Sequence, residues 1–370
     1  MNVRRIAIMT IFDTEGHLDE YAEYLISKTL EICSRLIVVS NHKLDGESKS
    51  VILKYTEEVY ERENVGFDAG AYKDVITKYA GIQEICKYDE LVLLNDTYYG
   101  PFDSWEPVFD AMASQDVNFW GITKIYGSQL DEQYEKDRIQ SYFLVFRKKI
   151  IKSHTFMDYW NNLQYPATYK DAVIEFEIGI YEWLKDGGFR DGVYAEVMGC
   201  GVREGVNMYR DNSYVLVSRY GCPIIRRKNL YGATANYNNA VKTVEYVDKN
   251  MQYDVKFIRN NIKRLETNGT TKWFGRDRTI DFCRKYSTIY VYGHGKVAEQ
   301  TVRYLIDLGL SYSGYIVKEK KPGEDALQYD EVKLSNATGI IIGVGAKYFG
   351  EVYDMLRKDI PVEQLLGIYI

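Results

Sequence analysis

The chain has 370 residues, 46% of them apolar and 27% charged, with a formal net charge of -6. Such a composition is that of a globular protein, and at ~150 residues per domain the length suggests two or three domains. The charge balance leaves too little basic surface to track nucleic-acid phosphates, so nucleic acid is not an expected partner. Cys33, Cys86, Cys200, Cys222 and Cys283 are odd in number and show no metal-ligand spacing, and they read as reduced thiols of a cytoplasmic protein. The opening "MNVRRIAIMTIFD" holds too short an apolar run for a signal sequence, and no run approaches the ~20 residues that cross a bilayer. Any membrane contact is therefore expected to be peripheral, at the inner face of the cytoplasmic membrane.

"RIAIMTIF" predicts a buried strand, "DEYAEYLISKTLEIC" a helix with Leu25, Ile26, Leu30 and Cys33 on one face, and "RLIVVSN" a second buried strand. That order implies a parallel sheet. "VILKYTEEVYERENVGFDAG" reads as strand and turn, and "AYKDVITKYAGIQEIC" as a helix that stops near Gly81. "DELVLLND" and "NFWGIT" read as strands. "QSYFLVFRKKIIKSHTFMDYWNNL" runs from strand into a helix with Phe156, Tyr159, Trp160 and Leu163 inward, and "VIEFEIGIYEWLKDGGF" is a helix closed by Gly187 and Gly188. Residues 231–285 are polar and helical, broken at "NGTTKWFGRDR". A second α/β pattern begins at "STIYVYGHGKVAEQTVRYLIDLG", too short for a two-half dinucleotide fold.

Two stretches concentrate the chemistry. In parallel sheets ligands bind beyond the carboxyl ends of the strands, and "LVLLND" sets Asn95 and Asp96 at such an end. Asp96 there suits a divalent cation, Mg²⁺ or Mn²⁺, held with water and substrate phosphate. Equally, Asn95-Asp96-Thr97 reads as a turn cap. Tyr98 and Tyr99 supply faces that suit a sugar, or a core pair. In "ENVGFDAGAYKDVI", Gly66 and Gly70 allow close backbone approach or positive φ. Asp68 either accepts from a ribose hydroxyl or base edge or caps a helix. Arg62 and Lys73 offer positive charge for phosphate, with Asn64 beside them. Together the two stretches read as a nucleotide-sugar site.

In that order, "ERENVGFDAGAYKDVI", "DELVLLNDTYYGPF", "QSYFLVFRKKII" with "FMDYWNNL", "FEIGIYEWLKDGGF" and "CPIIRRKNL" resemble the rhamnan synthesis protein F family of bacterial polysaccharide glycosyltransferases, over about residues 1 to 230. The resemblance implies a GT-A-like domain with a mostly parallel sheet over residues 1–230, which passes a sugar from a nucleotide sugar, dTDP-L-rhamnose in characterised relatives, to a growing cell-surface or lipid-linked glycan. Asn95-Asp96-Thr97 stands where the family fold carries a DxD motif, so only one acid is at the expected place. An inverting transfer needs a base on the acceptor side, and Glu177 is the expected one. Glu175 reads as a solvated helix charge, and His154 as making a local hydrogen bond.

The remaining expectations are a helical connector over 231–285 and a small Rossmann-like domain over 286–370. There Gly293, Gly295 and Ala298 approximate a phosphate-cradling turn, a second nucleotide site. Three alternatives go with it: a turn kept for packing, a surface for another subunit in a homo-oligomer, and an NAD(P)-dependent enzyme that modifies a sugar. A non-catalytic glycan-assembly subunit is the remaining reading.

Overall fold

The computed structural model describes residues 3–127, 136–197, 212–231, 237–267 and 276–367. Cys200 and most of the break at "NGTTKWFGRDR" lie outside them. Backbone contacts divide the chain into two compact units. The first runs from the amino terminus and also takes in Val215–Ile225 and Asn250–Phe257; the second comprises Arg226–Lys249 and the chain from Ile258 onward. The expected connector is helical at Tyr237–Asn250, Lys256–Thr267 and Arg276–Lys285. Its residues are divided between the two units.

The first unit is built on a mixed sheet. β1 (Arg5–Ile11), β2 (Arg35–Ser40), β3 (Val59–Glu61) and β4 (Glu90–Asn95) are parallel. Ile8 of β1 lies between Ile37 of β2 and Leu93 of β4. The sheet continues past β4 through β6 (Phe143–Arg147) to β5 (Phe119–Gly121) and β7 (Asp191–Val193), in the order β7-β5-β6-β4-β1-β2-β3. Only β6 runs against its neighbours. Strands covered on both faces need apolar residues at every position rather than alternate ones. β1 and β4 meet that demand, with Ile6 to Met9 and Leu91 to Leu94 all fully buried.

α1 (Glu20–Leu30) carries Glu20 and Glu23 in its first turn and Lys28 in its last, charges that complement the helix dipole. The stretch expected to run as strand from "VILKY" departs from that reading. Asp45 accepts from Ser48 N at 2.7 Å and caps α2 (Gly46–Ile52), which takes up Val51 and Ile52. The strand does not begin until Val59. α3 (Phe67–Asp74) widens into a π turn at Val75–Tyr79. α4 (His154–Asn162) buries Phe156, Tyr159 and Trp160 as its spacing predicts, and Leu163 just beyond it is also buried. A π segment, Ala172–Ile178, leads into α5 (Gly179–Asp186).

The second unit holds a five-stranded parallel sheet. β8 (Thr288–Tyr292), β9 (Gly314–Val317), β10 (Leu327–Gln328), β11 (Thr338–Ile342) and β12 (Leu365–Gly367) lie in the order β10-β9-β8-β11-β12. Side chains alternate across β11. Ile341 joins a core with α6 (Lys296–Asp307), while Ile340 and Ile342 join another with α7 (Ala346–Leu356). The expected α/β class with a mostly parallel sheet is the class observed. Among the described residues no helix is long and apolar enough to cross a membrane, and Cys33, Cys86, Cys222 and Cys283 carry free thiols.

Candidate functional site

The carboxyl ends of β1 and β4 are neighbours in the sheet, and α3 begins above them. Left-handed conformations at Gly66 (φ 77°) and Phe67 (φ 54°) turn the chain so that Asp68 returns over the strand ends. A side chain such as Phe rarely adopts positive φ, so the surrounding structure must hold this turn. The Asp68 carboxylate accepts from Thr10 Oγ1 at 3.1 Å and from Asn95 Nδ2 at 2.6 Å. Asn95 Oδ1 in turn accepts from the backbone N and hydroxyl of Thr97. Asp96 is 8% exposed, and its carboxylate and its carbonyl both accept from the Tyr21 hydroxyl. The glycine-bearing bend and the acidic strand end thus form one polar cluster. Thr10 and Tyr21 belong to it without any sequence signal to mark them.

The phenol of Tyr72 lies beneath this cluster. Burial first, and the Asp68 carboxylate after it, keep its pKa well above the ordinary tyrosine value. Burial and then Asp96 do the same for Tyr98. Among the described residues no group of three or more His, Cys, Asp or Glu is placed to hold a metal. That does not conflict with Mg²⁺ or Mn²⁺, which are held by one or two carboxylates together with water and phosphate. The hard oxygen donors at Asp96 fit such an ion.

Alongside the cluster, past the ends of β1, β2 and β3, lies a cleft of about 580 Å³ lined by Phe12, Asn41, His42, Lys43, Glu61, Arg62, Glu63 and Asn64. Phe12 is 40% exposed and meets His42 edge-on, with ring centroids 6.5 Å apart. Asn64 lines the cleft. Arg62 is at its wall, with three of its five N–H donors already engaged within the protein. Its Nε donates to Asp74 at 2.8 Å, Nη1 to Asn41 Oδ1 at 2.6 Å and Nη2 to the Val65 carbonyl at 2.7 Å.

Several other expectations change on the structure. Lys73 donates to the carbonyls of Asn161 and Leu163 and so ties α3 to the end of α4. Gly66 and Gly70 do allow close approach, but to Tyr165 rather than to a ligand. A Cβ at Gly66 would meet the Tyr165 ring at 2.9 Å, and one at Gly70 would meet the Val65 carbonyl at 2.2 Å. The Tyr165 hydroxyl donates to Asp74 at 2.6 Å, which locks this turn in place. Tyr98 and Tyr99 are fully buried, so neither offers a face to a sugar. Tyr98 packs on Trp105 and Tyr142, and Tyr99 packs edge-on against Tyr21.

Glu177 is engaged through both oxygens. Oε1 accepts from Arg138 Nε at 2.9 Å, and Oε2 from the backbone N and hydroxyl of Ser141 at 2.9 and 2.8 Å. A carboxylate so occupied braces the π segment, and this geometry does not present it as a base. Glu175 is exposed, as a solvated charge would be, and so is His154.

In the second unit, Gly293 has φ 112°, and a Cβ there would meet the Gly343 carbonyl at 2.7 Å. Ala298 is fully buried, 3.0 Å from where Gly343 would carry a Cβ. Gly293 and Ala298 thus serve the packing of β8, α6 and the end of β11. Gly295 is open, with nothing within 4 Å of a Cβ. His294 pairs with Glu324 at 3.5 Å.

Residues 36–287 match the family described as RgpF, rhamnan synthesis protein F, and the chain belongs to that family. It is 24% identical over 191 residues to the uncharacterized protein y4gN of Sinorhizobium fredii, covering 50% of this chain and 46% of that one. Over 151 residues it is 28% identical to the virulence protein VirA of Vibrio anguillarum, covering 39% and 44%. The chain spans about half the length of these curated relatives. The glycosyltransferase GlyE of Streptococcus pneumoniae TIGR4 overlays 100% of this chain and 96% of its own at 10% identity and a TM-score of 0.34. A superposition that loose carries no information about chemistry.

Proposed function

From membership of the rhamnan synthesis protein F family and the polar cluster at the carboxyl ends of β1 and β4, we propose that the chain is a glycosyltransferase of the GT-A type that takes a nucleotide sugar as donor. The observation that carries this reading is the 2.6 Å bond between Asn95 and Asp68, which joins the β4 end to the α3 turn beside an open cleft. A donor lying across the strand ends has its nucleoside in the cleft and its diphosphate near Asp96. The family description, rhamnan synthesis, supports a rhamnosyl donor; the finer reading is dTDP-L-rhamnose as donor and a surface-polysaccharide or lipid-linked acceptor reached from the cytoplasmic side of the membrane.

In the transfer the bond from the anomeric carbon to the diphosphate oxygen breaks and one to the acceptor oxygen forms, while the acceptor hydroxyl proton passes to a base. An inverting course places that base on the face opposite the diphosphate. Asp96 is the residue that would hold Mg²⁺ or Mn²⁺, and such an ion offsets the charge that grows on the leaving diphosphate. The chain's own contribution is positional. Tyr21 fixes the Asp96 carboxylate, and Thr10 and Asn95 fix Asp68, so these dipoles need not reorganise as charge develops.

Incubation with a panel of nucleotide sugars, with and without Mg²⁺ or Mn²⁺, tests the reading through thermal stabilisation and donor hydrolysis. A shift in melting temperature with at least one donor supports it. No response to any donor under either condition counts against it.

A further inference from the structure

The transfer proposed above needs a group that takes the acceptor proton, and Glu177 is turned to Arg138 and Ser141 instead. β4 and β5 both run against β6, and β7 runs with β5, so the carboxyl ends of β4, β5 and β7 share one edge of the sheet. The chain keeps its register beyond β7. Tyr194 N donates to the Gly121 carbonyl at 3.0 Å, and Ala195 N to that of Ile122 at 2.9 Å. Ala195 and Val197 are buried, and Glu196 between them is exposed. Glu196 therefore stands at the edge that holds Asp96, on the other side of β6.

Tyr126 fixes this carboxylate. Its hydroxyl lies 2.8 Å from Oε1 and 2.7 Å from Oε2, and its ring is buried, with the Lys124 ammonium 5.1 Å from the centroid. A hydroxyl so centred can stay with one oxygen while the other takes a proton. Asp137, an acid of the same region, is turned inward: Oδ1 accepts from Gly127 N at 3.0 Å, and Oδ2 lies 3.7 Å from Lys124 Nζ. Strand order sets β7 three positions from β4, or roughly 14 Å. A diphosphate beside Asp96, its anomeric carbon, an attacking oxygen ~3 Å beyond and a base ~3 Å beyond that fill a span on the order of 10 Å, and the two carboxylates reach inward across the rest. The start of β6 holds both ends in place, since Asn95 N donates to the Tyr142 carbonyl at 3.2 Å and the Tyr142 hydroxyl meets that of Thr123.

Building on the nucleotide-sugar reading, we infer that Glu196 is the catalytic base of the transfer and that Tyr126 is the residue that positions it. The acceptor hydroxyl gives its proton to the Glu196 carboxylate, and its oxygen forms the new bond to the anomeric carbon. The electron pair of the breaking carbon–oxygen bond leaves with the diphosphate. Asp96 and Glu196 then act on opposite faces of the sugar, as an inverting course requires.

Donor consumption by the full chain tests this, with dTDP-L-rhamnose, UDP-glucose and GDP-mannose as probes and either water or added azide as nucleophile. Azide is already an anion and needs no base. For whichever probe the unaltered protein consumes fastest, Glu196→Ala is expected to lower hydrolysis by roughly 10²–10⁴ while donor affinity, read by isothermal titration, is unchanged. Azide restores consumption in that variant, with the glycosyl azide as product. Tyr126→Phe lowers the hydrolytic kcat by about tenfold, the scale of one lost hydrogen bond, at unchanged KM and with the azide-dependent rate unaffected. Hydrolysis within tenfold of the unaltered rate in folded Glu196→Ala overturns the inference. So does a loss that azide fails to restore, or one that comes with lost donor affinity. A probe that binds the unaltered protein but is consumed with neither nucleophile also overturns it and leaves the nucleotide-sugar reading standing. Binding by none of the three overturns that reading, and this inference with it. Where Glu196→Ala does not fold, hydrolysis by Glu196→Gln is read in the same way.

Discussion

Each unit of this protein has a glycine-bearing turn between a parallel strand and a helix, and the two turns have different surroundings. At the α3 turn, polar side chains from three separate elements converge: Thr10 and Asn95 on Asp68, with Asp96 held by Tyr21 alongside. At the turn after β8, the close neighbours of Gly293 are the Gly343 carbonyl and the Val344 side chain. Glycine spacing is thus shared by a turn on which polar side chains converge and one at which backbone packs closely. What separates them is the convergence of polar groups from distant parts of the chain, which a local pattern does not encode.

The largest expected effect lies at the first turn. Asp96→Ala is expected to lower donor turnover by roughly a hundredfold to a thousandfold, the scale of losing one preorganised electrostatic group. Circular dichroism and a thermal melt should show the fold intact. Turnover that persists in the variant would move the donor site elsewhere.

The next effect is on stability. Asp74 accepts from Arg62, Lys78 and Tyr165, and it is 8% exposed. Asp74→Ala leaves the Arg62 guanidinium buried without its carboxylate, at a cost of about 3 kcal/mol, measured by urea denaturation. Burial raises the Asp74 pKa, but the bonds from Lys78 and Tyr165 and the Arg62 charge outweigh it, and the net shift is downward from 3.8. A carboxyl depressed by folding contributes stability above its unfolded pKa and loses it as pH falls through the folded one. The urea midpoint of the unaltered protein should therefore decline below about pH 4, and that of Asp74→Ala should decline less steeply.

Gly293→Ala sharpens the comparison from the other side. A Cβ there is strained by φ and meets a backbone oxygen, so a loss of about 1–3 kcal/mol is expected in the second unit, with nucleotide affinity unchanged by titration. Loss of nucleotide binding without loss of stability would make the turn a site after all. The smallest effect is expected from Glu177→Gln. As a brace it should change turnover by less than about tenfold, whereas a general base contributes roughly 10²–10⁴, so steady-state rates on a known acceptor separate the two roles.

Much of the first unit was legible because its strands are buried on both faces and therefore read as unbroken apolar runs, and because parallel strand ends are where such sheets place ligands. That rule brings the two stretches to one end of the sheet, but the bond from Asn95 to Asp68 emerges only in the fold. The partners of Arg62 and Lys73 were not legible because a basic residue near a glycine turn looks the same whether it meets a phosphate or the protein itself. Arg62 meets Asp74 at the end of α3, and Lys73 meets the Asn161 and Leu163 carbonyls where α3 packs on the end of α4. Tyr98 and Tyr99 were open between a sugar platform and a core pair, and the aromatic residues that make them a core pair, Trp105, Tyr142 and Tyr21, assemble only in the fold. "VILKY" was read as strand from its β-branched residues, and the Asp45 cap overrode that preference.

The central claim is tested most directly by a crystal structure of the protein with a bound nucleoside diphosphate sugar. The account predicts the base in the cleft between Phe12 and Asn41, with the diphosphate beside Asp96. Density for the nucleotide at the Gly293 turn instead, with the Phe12 cleft empty, would contradict it.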